Sequence, residues 1–292
     1  MSITIANPLL KAQISELGAE LVELQDEAGH DLLWNGDPAF WSGRSPLLFP
    51  IVGRLRDDKI LVDRRAYSIR KHGFARTSRF EIVDAGPESC RLRLSASDVT
   101  RELYPFDFRL DMTYRLDGAR LILAASVLNP EDRPIPVSFG FHPALRWPLP
   151  YGGERNEHEI RFEAAELASL HTLSDELLGP ATRPTPVEGN RLPLHDDLFR
   201  YGALVWSELA SRKVRYGVPG RRSMTVSFPR MPHLGIWTKP GAGYVCIEPW
   251  QGYASPADFE GELRDKPGIV MIPPGESRDF SMVIAVDPPG AR

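Results

Sequence analysis

The chain has 292 residues, with 35 Lys and Arg against 39 Asp and Glu for a formal charge of −4; 42% of the residues are hydrophobic and 25% charged. This is the composition of an ordinary folded protein, long enough to bury a core unaided, and its dispersed basic residues argue against nucleic acid as a partner. The start, Met1-Ser2-Ile3-Thr4-Ile5-Ala6-Asn7-Pro8, lacks the basic opening and apolar run of a secretory signal, and no stretch approaches the roughly 20 apolar residues of a membrane span, so the expected location is the cytoplasm.

Along the chain, a short helical turn is predicted at Asp37-Pro38-Ala39-Phe40-Trp41, with Asp37 as cap and Pro38 in first position. Short strands are predicted at Arg79 to Ala85 and Cys90 to Ala96, and a second brief helix between Asp98 and Leu103. From Phe106 to Leu116 the apolar residues Phe106, Phe108, Leu110, Met112, Tyr114 and Leu116 alternate with polar ones, the pattern of a half-buried strand. Asp117-Gly118 then turns the chain into Leu121 to Leu128, forming a hairpin. Further strands are expected at His158 to Phe162, Met224 to Phe228, Leu234 to Thr238, Tyr244 to Glu248 and Phe280 to Val286. The stretches Pro148 to Gly153 and Gly179 to Gly189 read as surface loops. With 27 prolines and 24 glycines between such runs, the expectation is an all-β sandwich with few short helices, forming one domain over 1–292.

Two of the seven histidines stand out. His72 lies in Lys71-His72-Gly73-Phe74-Ala75-Arg76 and His142 in Phe139-Gly140-Phe141-His142-Pro143, each at the end of an extended segment where an imidazole can reach a cleft and move protons near neutrality. Gly and Pro neighbours also mark ordinary turns, so neither histidine is diagnostic alone. Glu248 ends the run Tyr244-Val245-Cys246-Ile247 and by alternation shares a face with Cys246 and Tyr244, as a general base or as half of a buried ion pair. Trp34, Trp41, Trp237 and Trp250 sit near these groups, and indole rings suit the apolar faces of sugars. The sequence has no HxH, HExxH or HxxxH pair and no GxSxG elbow, and Cys90 and Cys246 read as two buried thiols, so no metal, cofactor or nucleophile is expected.

Taken together, Phe49-Pro50-Ile51-Val52-Gly53-Arg54, the His72 and His142 segments, Leu234-Gly235-Ile236-Trp237-Thr238-Lys239-Pro240 and Val245-Cys246-Ile247-Glu248-Pro249-Trp250 occur in an order that resembles the aldose 1-epimerase family, in its LacX-like branch. The resemblance implies a galactose mutarotase-like super β-sandwich with an open sugar cleft. It implies active-site roles for His72, His142 and Glu248, and a substrate-binding role for Arg54. The implied reaction interconverts the α and β anomers of an aldose, with Glu248 as base, His142 as acid, and His72 and Arg54 positioning the ring oxygen and hydroxyls. Relatives often carry a hydroxyl-binding aspartate where this chain has Gly202, which leaves the preferred sugar open. Trp237 is a candidate sugar wall, while Arg76, with Arg44 as a further candidate, would suit the related hexose-6-phosphate mutarotases. The third reading is a carbohydrate-binding or sugar-sensing protein without catalysis.

Overall fold

The computed structural model describes residues 1–288, so the last four residues of the expected domain, 289–292, lie outside the described residues. The hairpin marked by alternation and by Asp117-Gly118 forms as expected, with Arg109–Asp117 paired to Arg120–Leu128. It sits inside a nine-stranded antiparallel sheet running from Arg191–Pro193 at one edge to Glu81–Ala85 at the other. Phe106 and Phe108 precede the paired stretch, which begins at Arg109, yet both are buried beneath it.

A second sheet of six strands includes Leu204–Trp206, His233–Trp237, Tyr244–Gln251, Phe139–Phe141 and Leu47–Leu48, with Ala144–Arg146 pairing to Tyr244–Gln251 as well. Aromatic contacts join the sheets: Phe139 stacks on Phe280 with ring centroids 5.1 Å apart, and Phe162 meets Trp206 edge-on at 5.8 Å. The alternating inward residues of both sheets make one apolar core, as a sandwich requires. Among the described residues, no helix is long and apolar enough to cross a membrane.

One local expectation needs correction and two others are met. The Gly179 to Gly189 stretch is not wholly loop, because Leu177–Arg183 pairs with Leu170–Ser174 in a separate two-stranded hairpin. Pro180 is tolerated there because the ribbon's outer edge is bridged at Leu178 to Pro256 and not paired at Pro180, and its register shifts between His171 and Leu173. Asp37 to Trp41 makes the expected single capped turn, with the Asp37 carboxylate accepting from Ala39 N–H at 2.9 Å and the Asp37 carbonyl from Trp41 N–H at 2.9 Å. The helix Asp98–Leu103 matches its expected bounds and is capped by Ser97.

The strand Tyr244–Gln251 is buried along its whole length, so it has two inner faces. Val245 and Ile247 enter the sandwich core, while Tyr244, Cys246, Glu248 and Trp250 face the other way. The Trp250 ring lies flat against Gly235 on one neighbouring strand and Gly140 on the other, where an added Cβ would stand 2.3 and 2.6 Å from ring atoms. Both positions need a missing side chain, not a special backbone angle. Gly235→Ala is therefore expected to destabilise the protein by about 1–3 kcal/mol, through overpacking. Gly86→Ala, whose Cβ would meet nothing nearer than 3.7 Å, should stay within about 0.5 kcal/mol of the parent. Denaturant midpoints of the two variants test the contrast, and equal shifts would show that Trp250 yields easily.

Candidate active site

His142 and Glu248 are brought together by sheet register. Gly140 stands opposite Trp250 and Ala144 opposite Cys246, and the same register carried through the interruption at His142-Pro143 sets His142 opposite Glu248. Directly opposed side chains of an antiparallel pair are close neighbours, and here His142 Nε2 lies 3.1 Å from Glu248 Oε2. Pro143 offers no N–H, but its carbonyl still accepts from Ile247 N–H at 3.3 Å and keeps the strands in contact.

His72 arrives from a different part of the chain. Its backbone is left-handed, with φ of 68°, an uncommon state for a residue with a side chain. Two hydrogen bonds hold it there: His72 N–H donates to the Gly53 carbonyl at 2.9 Å, and Gly53 N–H donates to His72 Nδ1 at 3.1 Å. Because a backbone N–H can only donate, Nδ1 must accept, and the neutral ring carries its proton on Nε2. The His72 and His142 rings meet edge to face with centroids 5.8 Å apart.

These three groups line a cavity of about 540 Å³. Trp41 lies over His142 at 4.9 Å, and Trp237 stands perpendicular to Trp41 at 5.7 Å. Trp250 completes the aromatic wall. Trp34 stays behind it, packed on Tyr244 at 5.0 Å and donating its indole N–H to the Trp41 carbonyl. Among the described residues, two buried polar atoms here make no hydrogen bond of good geometry, His142 Nδ1 and Trp250 Nε1.

Of the expected arginines, Arg76 lines the cavity and Arg54 does not. Arg54 instead spans the Asp58 carboxylate, at 3.2 and 3.3 Å, and donates to the carbonyl of the wall residue Asp175 at 3.3 Å, so its guanidinium is engaged outside the pocket lining. Arg44 is also absent from the wall, its guanidinium donating to the Val22 carbonyl at 2.6 Å. Gly202 does face the cavity, with φ of 92°, and a Cβ added there would stand 3.2 Å from Leu173 of the two-stranded hairpin. That hairpin turns at Asp175 and Glu176, both with positive φ, and both line the pocket. Glu176 pairs with Lys71, the residue before His72. Sequence reasoning missed Lys71, Asp175, Glu176 and Tyr201 as wall residues; the one available signal was the adjacency of Lys71 to His72.

Burial governs the electrostatics. It pushes the Glu248 carboxyl up to about 8, against the opposing pull of the Lys71 charge and the Trp250 indole. It pushes His142 down to about 3, assisted by the charges of Arg76 and Lys71 and opposed by the residue's own backbone. His72 is held well below its usual value by burial, then by His142, Lys71 and Arg76. Near neutrality the His142 and Glu248 pair therefore holds one proton between two facing atoms. Cys246 lies beside them, with one ligand-type atom of His142, Cys246 and Glu248 each within 4.8 Å of the others. Sequence spacing hid this cluster because His142 joins the i, i+2 pair Cys246 and Glu248 only across the sheet.

Residues 1–285 match a family described as Aldose 1-epimerase. The chain is 29% identical to the chromosomal LacX protein of Lactococcus lactis subsp. lactis, over 98% of this chain and 99% of that protein. The fold is similar to a galactose mutarotase related enzyme from Lactobacillus acidophilus, at a TM-score of 0.92 and 29% identity over 100% and 99% of the two chains. A galactose mutarotase-like protein from Lactobacillus casei ATCC 334 gives 0.90 and 26%, over 98% and 100%.

The raised Glu248 pKa links stability to pH. A folded-state value near 8 against an ordinary 4.5 means that the carboxyl's contribution is complete below about pH 4.5 and lost as pH rises through about 8. Glu248→Gln, a neutral isostere, carries no such loss. The melting temperature of the variant minus that of the parent should grow by about 3 °C or more between pH 5 and pH 8, a shift of the size expected for one or two kcal/mol. A difference independent of pH would mean that Glu248 ionises freely in the folded protein.

Proposed function

Since the chain belongs to the aldose 1-epimerase family, we propose that it is a mutarotase, acting on an unphosphorylated aldose through acid/base ring opening on the His142 and Glu248 pair. The observation that carries this reading is the 3.1 Å approach of His142 Nε2 to Glu248 Oε2 in the wall of a sugar-sized cavity. The two oxygens that exchange protons in mutarotation are both bonded to C1 of the sugar. An acid and a base that touch each other match two oxygens on one carbon.

Burial holds the pair's one proton on Glu248 at rest; its transfer to His142 gives the reactive form, with Glu248 ionised. Glu248 takes the proton of the anomeric hydroxyl, the electrons of that O–H form the aldehyde C=O, and the C1 to ring-oxygen bond breaks as His142 protonates the ring oxygen. The pair is left with its one proton on Glu248. Rotation about C1–C2 presents the other face of the aldehyde, and reversal of both transfers closes the ring as the second anomer. Every step conserves the single proton, so the reaction balances without another reactant. His72 Nε2–H is a fixed donor suited to the oxygen on which negative charge grows, and Arg76 supplies a cation in the wall.

The charges of the cavity favour a neutral sugar. Lys71 is already paired with Glu176, and Arg76 is the wall cation without a carboxylate partner among the described residues. A phosphate dianion attracts bidentate arginine clusters, whereas here two carboxylates, Asp175 and Glu176, face the same space. Those carboxylates are acceptors for sugar hydroxyls, on the side where Gly202 offers none. A sensing module would need the tryptophan walls but not an acid and base in contact.

Glu248→Gln should keep the fold and much of the sugar affinity while slowing anomer exchange at least about a hundredfold, the lower range for losing a general base. Exchange followed by NMR measures this, and an equally fast variant would remove Glu248 from the chemistry. With Arg76→Ala, free aldoses and 6-phosphorylated aldoses should lose turnover by similar factors. A loss confined to phosphosugars would transfer the assignment to the hexose-6-phosphate class.

A further inference from the structure

The mechanism above uses His142 and Glu248 but not Cys246, the third member of the buried cluster. Cys246 and Glu248 alternate on one strand and so share a face, and His142 reaches both from the strand opposite. All three are buried, and their ligand-type atoms lie within 4.8 Å of one another. An imidazole nitrogen, a thiol and a carboxylate form a donor set suited to zinc and its soft congeners. Cys246 is a free cysteine whose apolar neighbours Tyr244, Ala144 and Ala242 give its sulfur no other task.

We propose that His142, Cys246 and Glu248 form an inhibitory site for a thiophilic divalent cation such as Zn²⁺. Binding releases two protons to solvent, the thiol proton of Cys246 and the one shared by His142 and Glu248, and forms bonds from the metal to sulfur, nitrogen and oxygen. The fourth position faces the cavity, where water completes the tetrahedron. Cys246 is fully buried and does not line the cavity, whereas His142 and Glu248 do, so a cation arriving through the cavity meets that pair before the sulfur. Metal binding and proton exchange thereby exclude each other. That the ion inhibits rests on the mutarotase reading; that it binds does not.

The test therefore uses two readouts on the intact protein. Cd²⁺ titration of the parent should give a 1:1 ultraviolet sulfur-to-metal absorption band, absent in Cys246→Ala. Zn²⁺ should inhibit anomer exchange reversibly, with full recovery on adding a chelator. In Cys246→Ala exchange should proceed at the parental rate, and inhibition should need more than the roughly 10–100-fold higher Zn²⁺ that loss of a mere outer partner would demand. Cys246→Ser serves the same purpose if the alanine variant packs poorly. The proposal is overturned if the band is absent from the parent, if it persists without Cys246, or if zinc inhibits parent and variant alike. A parent that shows the band but exchanges no anomers keeps the metal site and loses the mutarotase reading. Activity lost on chelation and restored by one ion would overturn the inhibitory role.

Discussion

Burial of the strand Tyr244–Gln251 on both faces is the constraint from which the rest follows. A strand with two inner faces cannot leave a carboxylate to water, so Glu248 must find a partner inside the protein or give up its charge. The sheet supplies His142 at the directly opposed position, and burial then drives both groups toward their neutral forms. The face that would be a second hydrophobic surface becomes the floor of the cavity. Trp250 can lie in that floor only because Gly140 and Gly235 leave room on either side.

Around this floor the cations are kept at the edge. Lys71 and Arg76 bias the buried pair through space, while neither makes an ion pair with Glu248. A direct Arg–carboxylate contact would pull the carboxyl down and weaken it for the base role proposed above. His72 contributes direction instead of charge, because the Gly53 N–H leaves it only one tautomer.

Much of this was legible before any coordinates. Alternation from Phe106 to Leu116 marked a strand, and the alternation of Tyr244, Cys246 and Glu248 placed the carboxylate on the correct face, since side-chain direction is a local property. Family resemblance drew His72, His142 and Glu248 into one cleft, where they are indeed found together. What local pattern could not contain was register. The opposition of His142 to Glu248, the inclusion of Cys246, and the arrival of Asp175 and Glu176 beside Lys71 all depend on which distant strands align. Arg54 illustrates the converse: its motif was intact, but a nearby Asp58 and the Asp175 carbonyl claim its guanidinium.

The hairpin of Leu170–Ser174 and Leu177–Arg183 belongs to neither large sheet. Its tip faces the cavity, tied down by the Lys71–Glu176 ion pair and the Arg54 hydrogen bond to Asp175. Ion pairs at such exposed positions contribute little to stability, so the tip can change sequence or length without disturbing the strands that hold His142 and Glu248. On the proposed mutarotase reading, chemistry and recognition would be carried on separately mutable parts of the chain. In a lineage of proteins that work as proposed, the range of sugars accepted would be free to drift while the His142 and Glu248 pair stays fixed.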